Sequence, residues 1–74
     1  MNIDAFLDEL AYALQRDAPI ALDDELKDIE EWDSLAAMGI TALLDRKFGK
    51  RLSFDDIVRM KTVRDIAQAA GLEL

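Results

Sequence analysis

The sequence predicts an all-α fold: a small four-helix bundle with three longer helices, one short helix and a long loop between the first two. Three observations carry that reading. Apolar residues recur at helical spacing near the N-terminus and again from residue 34. Two hydroxyl residues each precede a carboxylate by three positions, in SFDD and TVRD, and no stretch alternates apolar and polar as a half-buried strand does. With 74 residues, 51% hydrophobic and 34% charged, the chain reads as one folded domain over residues 1–74 and not as a disordered tail.

In the first helix, expected over residues 2–16, Ile3, Phe6, Leu7, Leu10 and Leu14 share one face while Asp4, Asp8 and Glu9 lie off it. Pro19 ends that pattern. The segment APIALDDELKDIEEWD scatters Ile20, Leu22, Leu26 and Ile29 among acids, which predicts a long loop with one short turn, tacked to the core by those four side chains. Unstructured connections of this length are uncommon in small domains unless they serve a function. The second helix is expected over 34–48, closed by Gly49. Ser53 with Asp56 and Thr62 with Asp65 make capping-box-like starts for a short third helix near 54–60 and a fourth near 62–70. Gly71 is placed to end the fourth, whose inward residues would be Val63, Ile66, Ala67 and Ala70.

At 100° per residue the second helix has two apolar sectors. Ala37, Ile40, Leu44 and Phe48 form the natural core face, and Leu35, Met38 and Ala42 form a stripe away from it. That stripe either packs under the acidic loop or stays exposed as an adaptable docking strip.

Composition removes whole classes of chemistry. Without Cys or His there is no disulfide, thiolate nucleophile, ordinary zinc site or Ser-His-Asp triad, so the chain is expected to be no enzyme and to hold no metal. Asp23, Asp24, Glu25 and Asp28 lack the ordered spacing and turn glycine of a calcium loop, and read as a solvated acidic stretch. A net charge of -7 opposes nucleic-acid binding. Residues 1–33 carry eleven acids against two bases and residues 34–74 five against seven, so the balance runs from -9 to +2 across Ser34. An asymmetry of that kind bears on partners and encounter rates. The acidic, amphipathic N-terminus is unlike a signal peptide, and no apolar run approaches the ~20 residues of a membrane span. A cytoplasmic monomer without membrane insertion is expected.

Ser34, between Asp33 and Leu35, reads in isolation as an N-cap. Its setting adds a second reading, because a long acidic loop ends in Trp32-Asp33-Ser34-Leu35 and leads straight into a helix with a spare apolar stripe. In this the chain resembles the acyl carrier protein family, in which an Asp-Ser-Leu triplet opens the second helix. The likeness spans the whole chain and includes Phe48 and Thr62-Val63. It implies that Ser34 carries a covalent 4'-phosphopantetheine arm and that Asp33 is its neighbour at the phosphopantetheinyl transferase. It also implies that Leu35 and Met38 meet the enzymes that load and process an acyl or aminoacyl cargo, and Ala42, on the same stripe, is expected to join them.

A protein with no thiol of its own must borrow one to hold a thioester. Fatty-acid carriers usually place acids on the second helix soon after the serine, where this chain has Ala36 and Gly39 and, later, Arg46 and Lys47. That departure favours a specialised pathway over housekeeping fatty-acid synthesis. An aminoacyl or peptidyl carrier of D-alanyl type is the alternative cargo class, and an unmodified helical interaction module is the alternative of a different kind. Trp32 is expected to anchor the end of the loop.

Overall fold

Asn2 opens the first helix, its Oδ1 accepting from the Ala5 N–H at 2.7 Å, in a computed structural model that describes residues 2–74. Helix α1 runs Ile3–Leu14, a 3-10 turn spans Leu26–Asp28, and α2 covers Ser34–Phe48, followed by α3 over Phe54–Val58 and α4 over Val63–Ala69. The observed α2 matches the expected 34–48; α1, α3 and α4 are each shorter than expected.

The early end of α1 has a specific cause. Gln15 adopts the left-handed conformation at φ 56°, with its N–H on Tyr12 O at 3.0 Å and the Arg16 N–H on Ala11 O at 2.9 Å. That is a Schellman closure built on glutamine instead of glycine. The same closure ends α4, there on Gly71 at φ 93°, with Gly71 N–H on Gln68 O and Leu72 N–H on Ala67 O. Gly49, at φ 65°, ends α2 as expected.

Both predicted capping boxes form. The Ser53 hydroxyl accepts from the Asp56 N–H and the Asp56 carboxylate accepts from the Ser53 N–H; Thr62 and Asp65 repeat the exchange. The two amides of Lys61 and Thr62 on one oxygen of Asp65 hold its carboxyl below the usual carboxylate range.

One hydrophobic core draws on every helix. Phe6, Leu10 and Leu14 of α1 meet Ala37, Ile40, Leu43 and Leu44 of α2, Ile57 of α3, and Val63, Ile66 and Ala67 of α4, with Ala70 just beyond it. The four expected inward residues at 63, 66, 67 and 70 are therefore all buried. On α2 the expectation needs correction: Leu43 belongs to the core, and Phe48 is only half-buried, its ring edge-on to Phe6 at 5.7 Å. Leu43 lies three residues after Ile40, and α1 and α3 packing on α2 from two sides widens its buried sector to take both Leu43 and Leu44.

The loop is a structured strap. Ile20, Leu26 and Ile29 are buried and Leu22 is half-buried. Its backbone pairs with the start of α4 through Leu26 N–H to Lys61 O at 2.8 Å, Val63 N–H to Asp24 O at 3.0 Å and Arg64 N–H to Leu22 O at 2.8 Å. Its acids have structural partners too: Asp23 Oδ1 accepts from Arg64 Nε and Nη2, and Asp24 accepts from the Ala21 N–H.

Candidate functional site

Residues 29–34 form a staircase from the core to the surface. Ile29 is buried, Trp32 is half-buried against the core with its N–H on Ile29 O at 3.0 Å, and Asp33 and Ser34 are exposed. Trp32 thus anchors the loop end. Asp33 is extended at φ -148°, ψ -175°, and its Oδ1 accepts from the Ala36 N–H at 2.8 Å. The cap of α2 is therefore Asp33, which corrects the reading of Ser34 as the N-cap. Ser34 is the first helical residue, and its exposed hydroxyl has no part in the capping bond.

Two helix amides remain ahead of the first intrahelical bond, Ala37 N–H to Asp33 O at 2.9 Å, and they belong to Ser34 and Leu35. Unbonded amides at the positive end of a 15-residue helix suit an anionic phosphate. The first turn of α2 itself carries no acid. An exposed primary hydroxyl beside two such amides fits the demands of a phosphodiester.

The second apolar stripe is exposed and does not pack under the loop. Leu35 is 77% exposed and Met38 58%, and Ala42 is exposed as well. Met38 and Ala42 line an open groove of about 450 Å³ between α2 and α3 with Thr41, Asp45, Arg51, Leu52 and Phe54. The exposed Phe54 and Val58 of α3 extend the apolar surface. Sequence reading passed over these two, and no clear signal marked them: Phe54 lies three residues before the buried Ile57, a spacing that by itself places both on one face, so its exposure is decided by the fold. Gly39 lies exposed on α2, and an added Cβ would meet nothing within 4 Å, so packing within the chain does not require glycine there.

A second missed feature lies behind Ser34. Arg16 Nη1 donates to Glu31 Oε1 at 2.7 Å, joining the end of α1 to the end of the loop. That hydrogen bond is the main reason the Glu31 carboxyl titrates below the usual carboxylate range.

A family model described as the phosphopantetheine attachment site matches residues 4–70. The chain belongs to this family of carriers. No curated protein matches it, and no solved structure does. Carriers of this family hold a covalent 4'-phosphopantetheine and are generally not catalysts; a phosphopantetheinyl transferase and acyl-processing enzymes act on them. When attached, the arm supplies the thiol that the sequence lacks. Among the described residues no helix of this carrier is long and apolar enough to cross a membrane.

Proposed function

We propose that Ser34 is the residue that carries the 4'-phosphopantetheine arm, and that the carrier delivers an acyl intermediate in a specialised biosynthetic pathway. One observation supports the site above the others: Asp33 caps α2, which leaves the Ser34 hydroxyl exposed at the helix start with no structural task. In the transfer, Ser34 Oγ loses its proton and bonds to the phosphorus that carries pantetheine, while the adenosine bisphosphate portion of coenzyme A leaves. The carrier itself contributes the position of the hydroxyl, two helix amides for the phosphate and a tether that holds cargo at high effective concentration.

Leu35, Met38 and Ala42 are the contacts for partner enzymes, with Asp33 at the transferase. Exposed side chains of this size beside the serine support that role. A specialised pathway is supported by α2 itself, where Ala36 and Gly39 stand in place of acids and the last turn is basic with Arg46 and Lys47. Exposed acids precede the serine on the loop, at Asp28, Glu30 and Asp33.

The test is intact mass after incubation with coenzyme A, magnesium and a broad-specificity transferase, with Ser34→Ala in parallel. Gain of one phosphopantetheinyl group by the wild type alone establishes the site. Gain by neither with a panel of transferases makes an unmodified interaction module the better reading. Loading of the modified carrier with acyl and aminoacyl donors then separates the two cargo classes.

A further inference from the structure

Three local departures from a stable design meet at one contact behind Ser34. The first is Gln15, a non-glycine residue held in the left-handed region at φ 56°, where its Cβ is crowded. This conformation turns the chain so that the next residue, Arg16, comes off the end of α1. The second is the Arg16–Glu31 pair, 2.7 Å apart, with Arg16 largely withdrawn from water and Glu31 about two-thirds withdrawn; partial desolvation offsets much of what such a pair gains. The third is Arg16 Nε, which is buried with no hydrogen-bond partner among the described residues. In Lys47–Glu9 and Arg64–Asp23 the cation is about twice as exposed as Arg16 and neither cation follows a left-handed residue, although Glu9 is as withdrawn from water as Glu31. Where a chain keeps several local costs together, a functional geometry is the expected compensation.

What the contact holds is the end of the loop. Glu31 stands three residues before Ser34, and the segment between has few other ties: the Trp32 ring on the core, its N–H to Ile29, and the Asp33 cap that starts α2. Without Arg16 the residue-31 side of this hinge has no partner on α1, and Asp33 and Ser34 would sample more orientations. A transferase must bring one hydroxyl into line with one phosphorus, and misplacement by about 1 Å can reduce such a rate by roughly two orders of magnitude.

We propose that Arg16 is a positioning residue for modification of the carrier, holding the Asp33-Ser34 corner through Glu31. This rests on Ser34 being the attachment residue. The effect falls on the unmodified carrier as substrate of its transferase, because the clamp orders the corner before the two proteins meet.

The experiment is steady-state transfer of phosphopantetheine to wild type, Arg16→Ala, Glu31→Gln, Arg16→Lys and the double variant Arg16→Glu with Glu31→Arg. It is run well below each melting temperature, and amide hydrogen exchange is measured on the same unmodified proteins at Ala36 and Ala37, whose N–H groups donate to Asp33 Oδ1 and Asp33 O. We expect Arg16→Ala and Glu31→Gln to lower kcat/KM about tenfold, within the range that positioning effects span. Exchange at the two amides should accelerate in both. Arg16→Lys, which keeps a donor cation at the same site, and the swapped pair should recover most of the loss. A purely structural role predicts lower melting temperatures with kcat/KM and amide exchange at wild-type values in the folded protein, and that result overturns the proposal. Wild type modified elsewhere than Ser34, or not at all, overturns the attachment reading and this role with it, whereas normal modification of every variant at Ser34 overturns this role alone.

Discussion

Two faces of one helix have opposite fates. On α2, Ala37, Ile40, Leu43 and Leu44 are buried, while Leu35, Met38 and Ala42, interleaved with them in sequence, face water. Apolarity alone does not separate the sets, since leucine occurs in both. What separates them is direction: α1 and α3 cover one sector of the helix, and among the described residues the other is left open to water, bordered only by the groove toward α3. An unshielded Leu-Met strip beginning one residue after the exposed serine is retained against the hydrophobic cost of wetting it. The inner face makes the fold, and the outer face is available to partners.

Ile40→Ala should break the comparison hardest. A fully buried isoleucine cut to alanine loses about 2–5 kcal/mol, a large part of the roughly 5–15 kcal/mol that holds a domain together. Urea unfolding measures it, and a loss below about 1 kcal/mol would mean the inner face is not the core. Met38→Glu is the matching change outside. It should leave stability within about 0.5 kcal/mol and weaken transfer from partner enzymes by at least about 1 kcal/mol. A steep fall in melting temperature would instead place Met38 in the core.

The edge between the faces gives a smaller contrast. Asp33→Ala should cost about 1 kcal/mol because it removes the cap of α2. Ser34→Ala should change stability by less than about 0.5 kcal/mol, and equal losses at the two positions would return the capping role to the serine. Gly39→Ala, on the exposed side with open space around it, should stabilise the protein by up to about 1 kcal/mol through helix propensity. If the same change impairs a partner enzyme, the glycine serves close approach.

Acid provides the mildest test, because it acts on the loop end before α2 through Glu31 and on the start of α4 through Asp65, and leaves both faces of α2 intact. Glu31 and Asp65 both titrate below their ordinary values in the folded protein. Their stabilising contribution is complete above the unfolded values of about 4.3 and 3.9 and is lost as pH falls through the lowered folded ones. Melting temperature should therefore hold above about pH 5 and fall below about pH 4. Glu31→Gln together with Asp65→Asn should flatten that decline.

What the sequence by itself determined is the local chemistry. Ser53 with Asp56 and Thr62 with Asp65 specify their capping boxes because donor and acceptor lie three residues apart, within one turn. Gly49 and Gly71 specify helix ends because only glycine takes a positive φ at little cost. The 34–48 helix and the exposed hydroxyl-bearing triplet were legible for the same reason. The end of α1 was not, since Gln15 gives no glycine signal and its left-handed turn is visible only in the closing bonds of Gln15 N–H to Tyr12 O and Arg16 N–H to Ala11 O. Asp33 and Ser34 are both good caps by type, and the choice depends on where Ile29, Trp32 and Arg16 fix the end of the loop. Burial of Leu43, half-exposure of Phe48 and the strap's pairing with residues 61–64 are likewise decided by contacts between segments far apart in sequence. Capping and chain reversal act within a few residues and are written in short motifs, whereas burial depends on which elements meet, a property of the assembled fold.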